Sequence, residues 1–332
     1  MSDVIYYIND LGFNRTFPKF DIKRLPFAYI EYYPWHPVSW DKIDQEISGD
    51  GNIIIIQTPV GQEELKLKIA IKLAEKNIVF VGQESSVFDW FEWSATEQEL
   101  YTNLLSKSKA FLHHSDFDKR VMSIFIDKFV KWNGCIDVSV ESYKSFEDSG
   151  EYISLPTPVK RYQRGMVTHQ LANICIKEYE ALHNKNVPIY SLSYNRPNQN
   201  HNLSFPDSYK LDNINLVPKM NHSDWMGFIH NSKFGIDINR EFSGGNVSLE
   251  YAALGVPLIG NRHLDTQSEL FPMLSFDVND YGTIKNAVHL LLNDKDFYEE
   301  CSKSALKTVK ESFNSKVVVE NFRKEFTNIF NK

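Results

Sequence analysis

The chain has 332 residues, 42% of them hydrophobic and 24% charged, a composition that excludes disordered and fibrous classes and suits about two domains of ordinary size. Its net charge of −7 argues against a protein held on nucleic acid by non-specific attraction, where only a local basic patch would serve. The longest strongly apolar runs, such as Ile53 to Ile56 and Val256 to Ile259, fall far short of the roughly 20 residues that a membrane helix needs, so no stable membrane insertion is expected.

Val4 to Ile8 is a strand candidate that ends in the loop Asn9-Asp10-Leu11-Gly12. The first residues carry Asp3 and Asp10 and no leading Lys or Arg, unlike a secretory signal. Phe27 to Tyr33 is a second strand, closed by Pro34 and Pro37. Asn52 to Gln57 is a third, a continuous apolar run of the kind buried on both faces. In Glu63 to Glu75, Leu65, Ile69, Ala70 and Leu73 recur at helical spacing. Ile78 to Val81 returns to strand, and Glu97 to Ser106 to helix with Thr96 as its cap. Ala110 to Leu112 is a short strand running into His113-His114-Ser115, and Phe117 to Phe129 is helical. This alternation predicts a parallel sheet with helices on both faces.

The pattern then breaks. Glu141 to Glu151 is polar and reads as a solvated connector, and Pro156 and Pro158 mark a linker or a strand entering a new domain. Alternation restarts with a strand at Ile153 to Leu155, a helix over Val167 to Leu182 and a strand over Val187 to Leu192. A polar loop from Tyr194 to Asp207 leads to a strand at Asn213 to Val217, a helix at Ser223 to Asn231 and a strand at Phe234 to Ile238. A helix at Asn246 to Leu254, a strand at Pro257 to Ile259 and a helix at Ile284 to Leu292 follow, and Asp296 to Phe330 is almost entirely helical. The predicted organisation is an α/β domain over 1–152, a second over 153–310 and a closing helix over 311–332. No GxGxxG or Walker loop occurs, which counts against a dinucleotide-binding dehydrogenase or a P-loop enzyme.

Chemistry concentrates in Ile236 to Ile259, IDINREFSGGNVSLEYAALGVPLI, which reads as strand, glycine loop, helix and a Gly-Val-Pro turn into another strand. Ser243, Gly244 and Gly245 leave backbone N–H groups open where the helix begins, at Asn246 and Val247, and a helix start attracts phosphate. Glu250 falls within the helix, where a carboxylate can accept from a vicinal diol such as ribose; Glu241, on the loop, could do the same for sugar hydroxyls. The alternative is a plain helix start in an α/β core.

This stretch resembles the donor site of GT-B glycosyltransferases, through Glu241, Gly244, Gly245, Glu250, Ala252, Ala253, Gly255 and Pro257. In the retaining families with an E-x7-E motif, the second Glu meets the nucleotide ribose and the first lies near the donor sugar; the resemblance gives those roles to Glu250 and Glu241. Eight residues separate the two here, and Ser-Gly-Gly-Asn is also similar to the His-Gly-Gly loop of other GT-B families, with Ser243 in place of the His. Those E-x7-E enzymes carry an Arg and a Lys just after the first strand of the second domain, where they neutralise the departing diphosphate. Arg161 and Arg164 are similar to that pair, and guanidinium groups suit phosphate, with a solvated basic turn as the alternative. Pro218 to Met220 looks like the loop beside the nucleotide base, or plain scaffold, and Gly12 like the loop near sugar and acceptor, or a turn glycine.

The resemblance implies two Rossmann-like domains facing each other across a cleft, with the last helix crossing back to the first domain. It implies a nucleotide diphosphate sugar as donor, a hydroxyl acceptor, and neither metal nor further cofactor. An inverting reaction would need a base from the first domain, for which His113, His114 or Asp10 are candidates; a structural His pair is the alternative. Asp116-Phe117-Asp118 matches the metal-holding D-x-D of GT-A enzymes but sits where Asp caps a helix, and the three cysteines show no CxxC pair. The acceptor stays open between a glycan, a lipid-linked precursor and a modified DNA base. A nucleotide-sugar 2-epimerase-like isomerase and a non-catalytic GT-B-like binding protein are the rival readings. A cytoplasmic location is expected, the host's cytoplasm if the chain is viral.

Overall fold

The computed structural model describes residues 4–9, 29–34, 51, 53–57, 63–82, 90, 93–132, 134–138, 140–156, 165–192, 213–218, 220–238 and 245–330. In chain order the first elements are β1 (Val4–Asn9), β2 (Tyr29–Pro34), β3 (Ile53–Gln57), α1 (Glu63–Lys76), β4 (Ile78–Gly82), α2 (Ala95–Lys107), β5 (Ala110–His113), α3 (Asp116–Met122) and β6 (Phe129–Lys131). Then come β7 (Ile153–Leu155), α4 (Gly165–His183), β8 (Ile189–Leu192), β9 (Ile214–Val217), α5 (His222–His230), β10 (Phe234–Asp237) and α6 (Asn246–Ala253). The last are β11 (Leu258–Asn261), α7 (Asp265–Leu270), β12 (Ser275–Phe276), α8 (Tyr281–Asn293), α9 (Lys295–Ser312) and α10 (Ser315–Phe330). Two compact units divide the chain: Met1–Cys135 with Phe242–Asn246 and Ser315–Lys332, and Ile136–Glu241 with Val247–Asn314.

The sheet of the first unit has six parallel strands in the order β2-β1-β3-β4-β5-β6. β3 explains why its sequence does not alternate. Ile54 and Ile56 point into a core with Leu67, Leu73 and Leu104 from α1 and α2. Ile53 and Ile55 point to the opposite face, where Val318, Val319, Phe322 and Phe326 of α10 cover them. Both faces are dry, so every side chain of the run is apolar. α10 is held by aromatic contacts as well: Phe326 stacks on Phe80 at 4.3 Å between centroids, and Phe322 meets Trp132 edge-on at 5.2 Å. Its Glu325 carboxylate accepts the Lys131 backbone N–H at 2.7 Å.

Two local expectations are corrected in this unit. The helix expected over Phe117 to Phe129 stops at Met122, because Phe129, Val130 and Lys131 pair with Phe111, Leu112 and His113 as the edge strand β6. The cap of α2 is Ser94 rather than Thr96: its hydroxyl accepts the Glu97 N–H at 3.3 Å, and the Glu97 carboxylate accepts the Ser94 N–H at 2.8 Å. Asp118 belongs to the same kind of reciprocal cap, with Ser115, and among the described residues no group of three His, Cys, Asp or Glu is placed to hold a metal.

The second unit has a parallel sheet in the order β12-β11-β10-β7-β8-β9. Residues 136–152 are part of it, not a solvated connector: Val138, Val140, Tyr143 and Phe146 pack against its core. The Lys233 ammonium lies 3.3 Å from the centre of the Phe146 ring and donates to the Phe146 carbonyl at 2.8 Å. The helical tail is two helices, α9 and α10, separated at Phe313 and Asn314, and Phe313 turns its ring into the second unit's core. Among the described residues no helix is long and apolar enough to cross a membrane.

We predict that Phe322→Ala destabilises the first unit by about 3–5 kcal/mol, the usual cost of emptying a buried phenylalanine site. Denaturant unfolding should show the midpoint of that unit falling sharply; an unchanged midpoint would mean that α10 contributes nothing to this core.

Candidate functional site

β7 and β10 are parallel neighbours at the centre of the second sheet, with Phe234 opposite Ile153 and Gly235 opposite Ser154. From β7 the chain moves to β8 on one side, and from β10 to β11 on the other. Connections that leave adjacent strands in opposite directions open a crevice beyond their carboxyl ends, where ligands of open α/β sheets bind. The two segments singled out in the sequence both start there. Residues 157–164 follow β7 and lead to α4; residues 239–244 follow β10 and lead to α6.

Local packing fixes how α6 begins above that crevice. The Tyr251 side chain is fully buried, with its ring over Gly235, where an added Cβ would come within 2.3 Å of the ring. Its hydroxyl meets Ser154 Oγ of β7 at 2.7 Å, and Ser154 Oγ in turn donates to the Phe234 carbonyl at 3.3 Å. Burial pushes the Tyr251 phenol well above its ordinary range, so it stays a neutral donor. At the far end Gly255 adopts φ +63°, and the N–H groups of Gly255 and Val256 bond to the carbonyls of Ala252 and Tyr251. Ser248 donates to Gln267 Oε1 at 2.7 Å, and Gln267 Nε2 donates to the Leu258 carbonyl at 2.9 Å, which joins α6 to α7 and β11. Across the crevice the Thr168 hydroxyl of α4 donates to the Ile238 carbonyl at 2.7 Å.

Glu250 lies on the next part of α6, with its side chain only 19% exposed. Its Oε2 accepts the indole N–H of Trp225 at 2.8 Å, and its Oε1 lies 3.9 Å from His222 Nδ1. Burial raises the carboxyl above the ordinary glutamate range, while the Trp225 hydrogen bond and His222 oppose that shift. Both partners come from α5, the helix that follows Pro218 and Met220. Pro218 is exposed and Met220 half-buried, and Asn221 caps α5 by accepting the Asp224 N–H at 2.9 Å. Gly245 is buried with φ +69°, a conformation that suits glycine, and Asn246 and Val247 open α6 half-buried. Gly12, Arg161, Arg164, Glu241, Ser243 and Gly244 lie outside the described residues, as does Asp10.

Trp225 is the residue that the sequence did not single out. A signal existed: an indole N–H in a short helix must find an acceptor once its ring is partly buried. His222 carries no such signal, because 28 positions separate it from Glu250 in the chain.

In the first unit, His113 and His114 separate into two environments. His113 is buried at the end of β5, and its Nδ1–H donates to the Ser115 carbonyl at 3.0 Å. Burial lowers its pKa from 6.5 to about 4, against the raising effect of that hydrogen bond. It is therefore a neutral core residue at ordinary pH. His114 donates from Nδ1 to the Trp132 carbonyl at 2.7 Å, which places the acceptor lone pair of the neutral ring on Nε2. It borders a narrow cleft with Ile55, Gly82, Leu112 and Trp132 that has no room for a water molecule. Asp118 is buried nearby, and burial pushes its carboxyl upward against the pull of His114.

No family model matches this chain, and no curated protein sequence matches it either. Solved structures do. S. aureus TarM, in a complex that includes UDP, is similar with a TM-score of 0.65 at 10% identity, over 88% of this chain and 58% of that one. The pneumococcal O-GlcNAc transferase GtfA, with UDP and GlcNAc, has a TM-score of 0.62 at 13% identity, over 90% of this chain and 61% of that one. The UDP-forming alpha,alpha-trehalose-phosphate synthase of Burkholderia vietnamiensis has a TM-score of 0.69 at 12% identity, over 100% of both chains. This chain thus spans about three fifths of the length of the first two and all of the third. The likeness establishes the fold: α/β, with two Rossmann-like sheets, of the GT-B class.

Two measurements test the packing described above. Gly235→Ala should cost about 1–3 kcal/mol through overpacking against Tyr251 and lower the melting temperature by several degrees; no change would show that the ring is free to move. The folded state disfavours protonated His113, so its contribution to stability is complete above pH 6.5 and is lost as pH falls toward 4. The loss is at most about 1.4 kcal/mol per pH unit. His113→Asn, which keeps a donor for the Ser115 carbonyl, should flatten the acid side of the melting profile, and an unaltered profile would contradict this assignment.

Proposed function

We propose that the chain is a glycosyltransferase that moves a sugar from a nucleotide diphosphate sugar to a hydroxyl acceptor. The observation that carries this reading is Glu250: a half-buried carboxylate on the helix that opens at the sheet's switch point, held through one oxygen and presenting the other. A carboxylate so placed accepts from the hydroxyls of a ribose, and the start of the same helix suits a diphosphate. The fold adds support, since TarM and GtfA were each solved with UDP, and an E. coli trehalose-6-phosphate protein with UDP-2-fluoro glucose.

In this reading the stabilisation falls on the departing diphosphate. Arg161 and Arg164, on the segment after β7, neutralise it as permanent, planar cations, together with the N–H groups of Gly244, Gly245 and Asn246. Ser243 and Val247 flank that cradle. Main-chain groups of Pro218 and Met220 meet the base, and Glu241 meets hydroxyls of the donor sugar. Gly12 lets the loop after β1 approach the sugar and acceptor. In an inverting reaction, His114 Nε2 takes the acceptor proton, its Nδ1–H held by the Trp132 carbonyl. Charge stabilisation by arginines makes a metal unnecessary in this scheme. The acceptor is a hydroxyl of a glycan, a glycolipid precursor or a modified DNA base.

Thermal melting with UDP-, GDP-, TDP- and CMP-sugars tests the donor site. One nucleotide should raise the melting temperature of the parent chain by several degrees, since ligand at about 100 times its Kd adds about 2.7 kcal/mol, and Glu250→Ala should lose most of that shift. Absence of a shift with all four would refute the donor site and leave a protein that binds something else.

A further inference from the structure

We propose that Trp225 is a positioning residue: its indole N–H aims Glu250 at the ribose hydroxyls and so makes the site select ribonucleoside over 2′-deoxyribonucleoside diphosphates. This rests on the donor-site reading above and names a determinant of its specificity.

Trp225 and Glu250 come from different helices, α5 and α6, and meet at 2.8 Å through a donor that has a single hydrogen to give. The indole is itself immobilised. It stacks on Phe228 at 5.6 Å with 26° between the ring planes, and it packs against the core of the second unit. A carboxylate at the end of a glutamate rotates easily about its last torsion. Tying Oε2 to a fixed indole removes that freedom and sets the direction of the lone pairs on Oε1. Among the described residues no hydrogen bond reaches Oε1, and His222 Nδ1 at 3.9 Å is too distant for one. Oε1 is therefore the acceptor available to a sugar hydroxyl.

Selectivity follows from the same geometry. A half-buried carboxylate that loses a hydroxyl partner is left under-satisfied, and sites built around such a hydrogen bond discriminate against the analogue that lacks it. Without the indole N–H, Oε1 no longer has a preferred direction, and the presence or absence of the 2′-hydroxyl matters little.

The experiment compares UDP, GDP, ADP and CDP with their 2′-deoxy counterparts on the full chain by calorimetry. The parent chain, Trp225→Phe and Glu250→Ala are the proteins. Phenylalanine keeps an aromatic ring in the stack and removes the donor. For the tightest nucleotide, the parent should prefer the ribo form by roughly ten-fold or more, the scale of one hydrogen bond to a charged group. Trp225→Phe should weaken the ribo form to the level of the deoxy form, with the deoxy form unchanged. In ¹⁵N–¹H spectra the Trp225 indole resonance should move when that nucleotide is added.

A variant that weakens both forms equally, with the ratio intact, overturns the proposal, because that is what a merely structural tryptophan would do. Full retention of affinity and ratio in Trp225→Phe, with loss in Glu250→Ala, overturns it too but leaves the donor site standing. If the parent binds no nucleotide, or Glu250→Ala binds like the parent, the donor-site reading falls and takes this inference with it. Should Trp225→Phe fail to fold, Glu250→Gln reads the pair from the other side: a ratio near one and a shifted indole resonance support the proposal, and neither change overturns it.

Discussion

Much of the second unit is organised around one buried side chain. Tyr251 reaches from α6 across Gly235 of β10 to Ser154 of β7, so a single phenol touches both strands between which the sheet reverses its order. Three requirements meet there. Position 235 must lack a Cβ, position 154 must be small and polar, and the hydroxyl must find a partner because it is fully buried. With these met, α6 can only start directly beyond the carboxyl ends of β7 and β10. The turn at Gly255 and the Ser248–Gln267–Leu258 bonds then hold its other side.

That rigidity matters because the chemistry asked of α6 is positional. A helix start stabilises an anion through aligned backbone groups whose effect fades within a turn, so it must be anchored to within a fraction of an ångström to be useful. Glu250 sits about one turn further along, and its carboxylate is held from α5 in place of solvent. Burial alone would drive this group toward its neutral form; the indole and His222 pull it back toward the charged form that a diol would recognise. The site thus balances desolvation, which strengthens a hydrogen bond, against the need to keep the acceptor ionised.

The first unit shows how two adjacent histidines acquire different uses. His113 faces the core and is kept neutral by burial, while His114 borders a narrow cleft at the carboxyl edge of the sheet with its Nδ1 committed to a carbonyl. The strand that flanks them, β6, is only three residues long, yet it carries the chain to Trp132, whose carbonyl orients His114 and whose ring packs against Phe322 of α10. The final helix therefore bears on the surroundings of His114, although it is more than 200 residues away in the chain.

Local pattern was enough to determine the class of this protein: strand and helix alternate in two blocks, the four isoleucines of β3 announce a strand covered on both faces, and the run from Ile236 to Ile259 spells out strand, loop, helix and turn. Such features depend on periodicity and turn chemistry within about ten residues, which is the range over which sequence speaks directly. The same range explains the errors. Phe129 fits a helical period but belongs to β6 because β5 offers it hydrogen bonds, and Tyr143 and Phe146 look like members of a polar connector until a core appears to receive them. The order of the strands, the crevice it opens, and the pairs Ser154–Tyr251 and Trp225–Glu250 were decided only in three dimensions. Those pairs join residues 97 and 25 positions apart, and nothing in either neighbourhood specifies the other until the sheet has brought their helices and strands together.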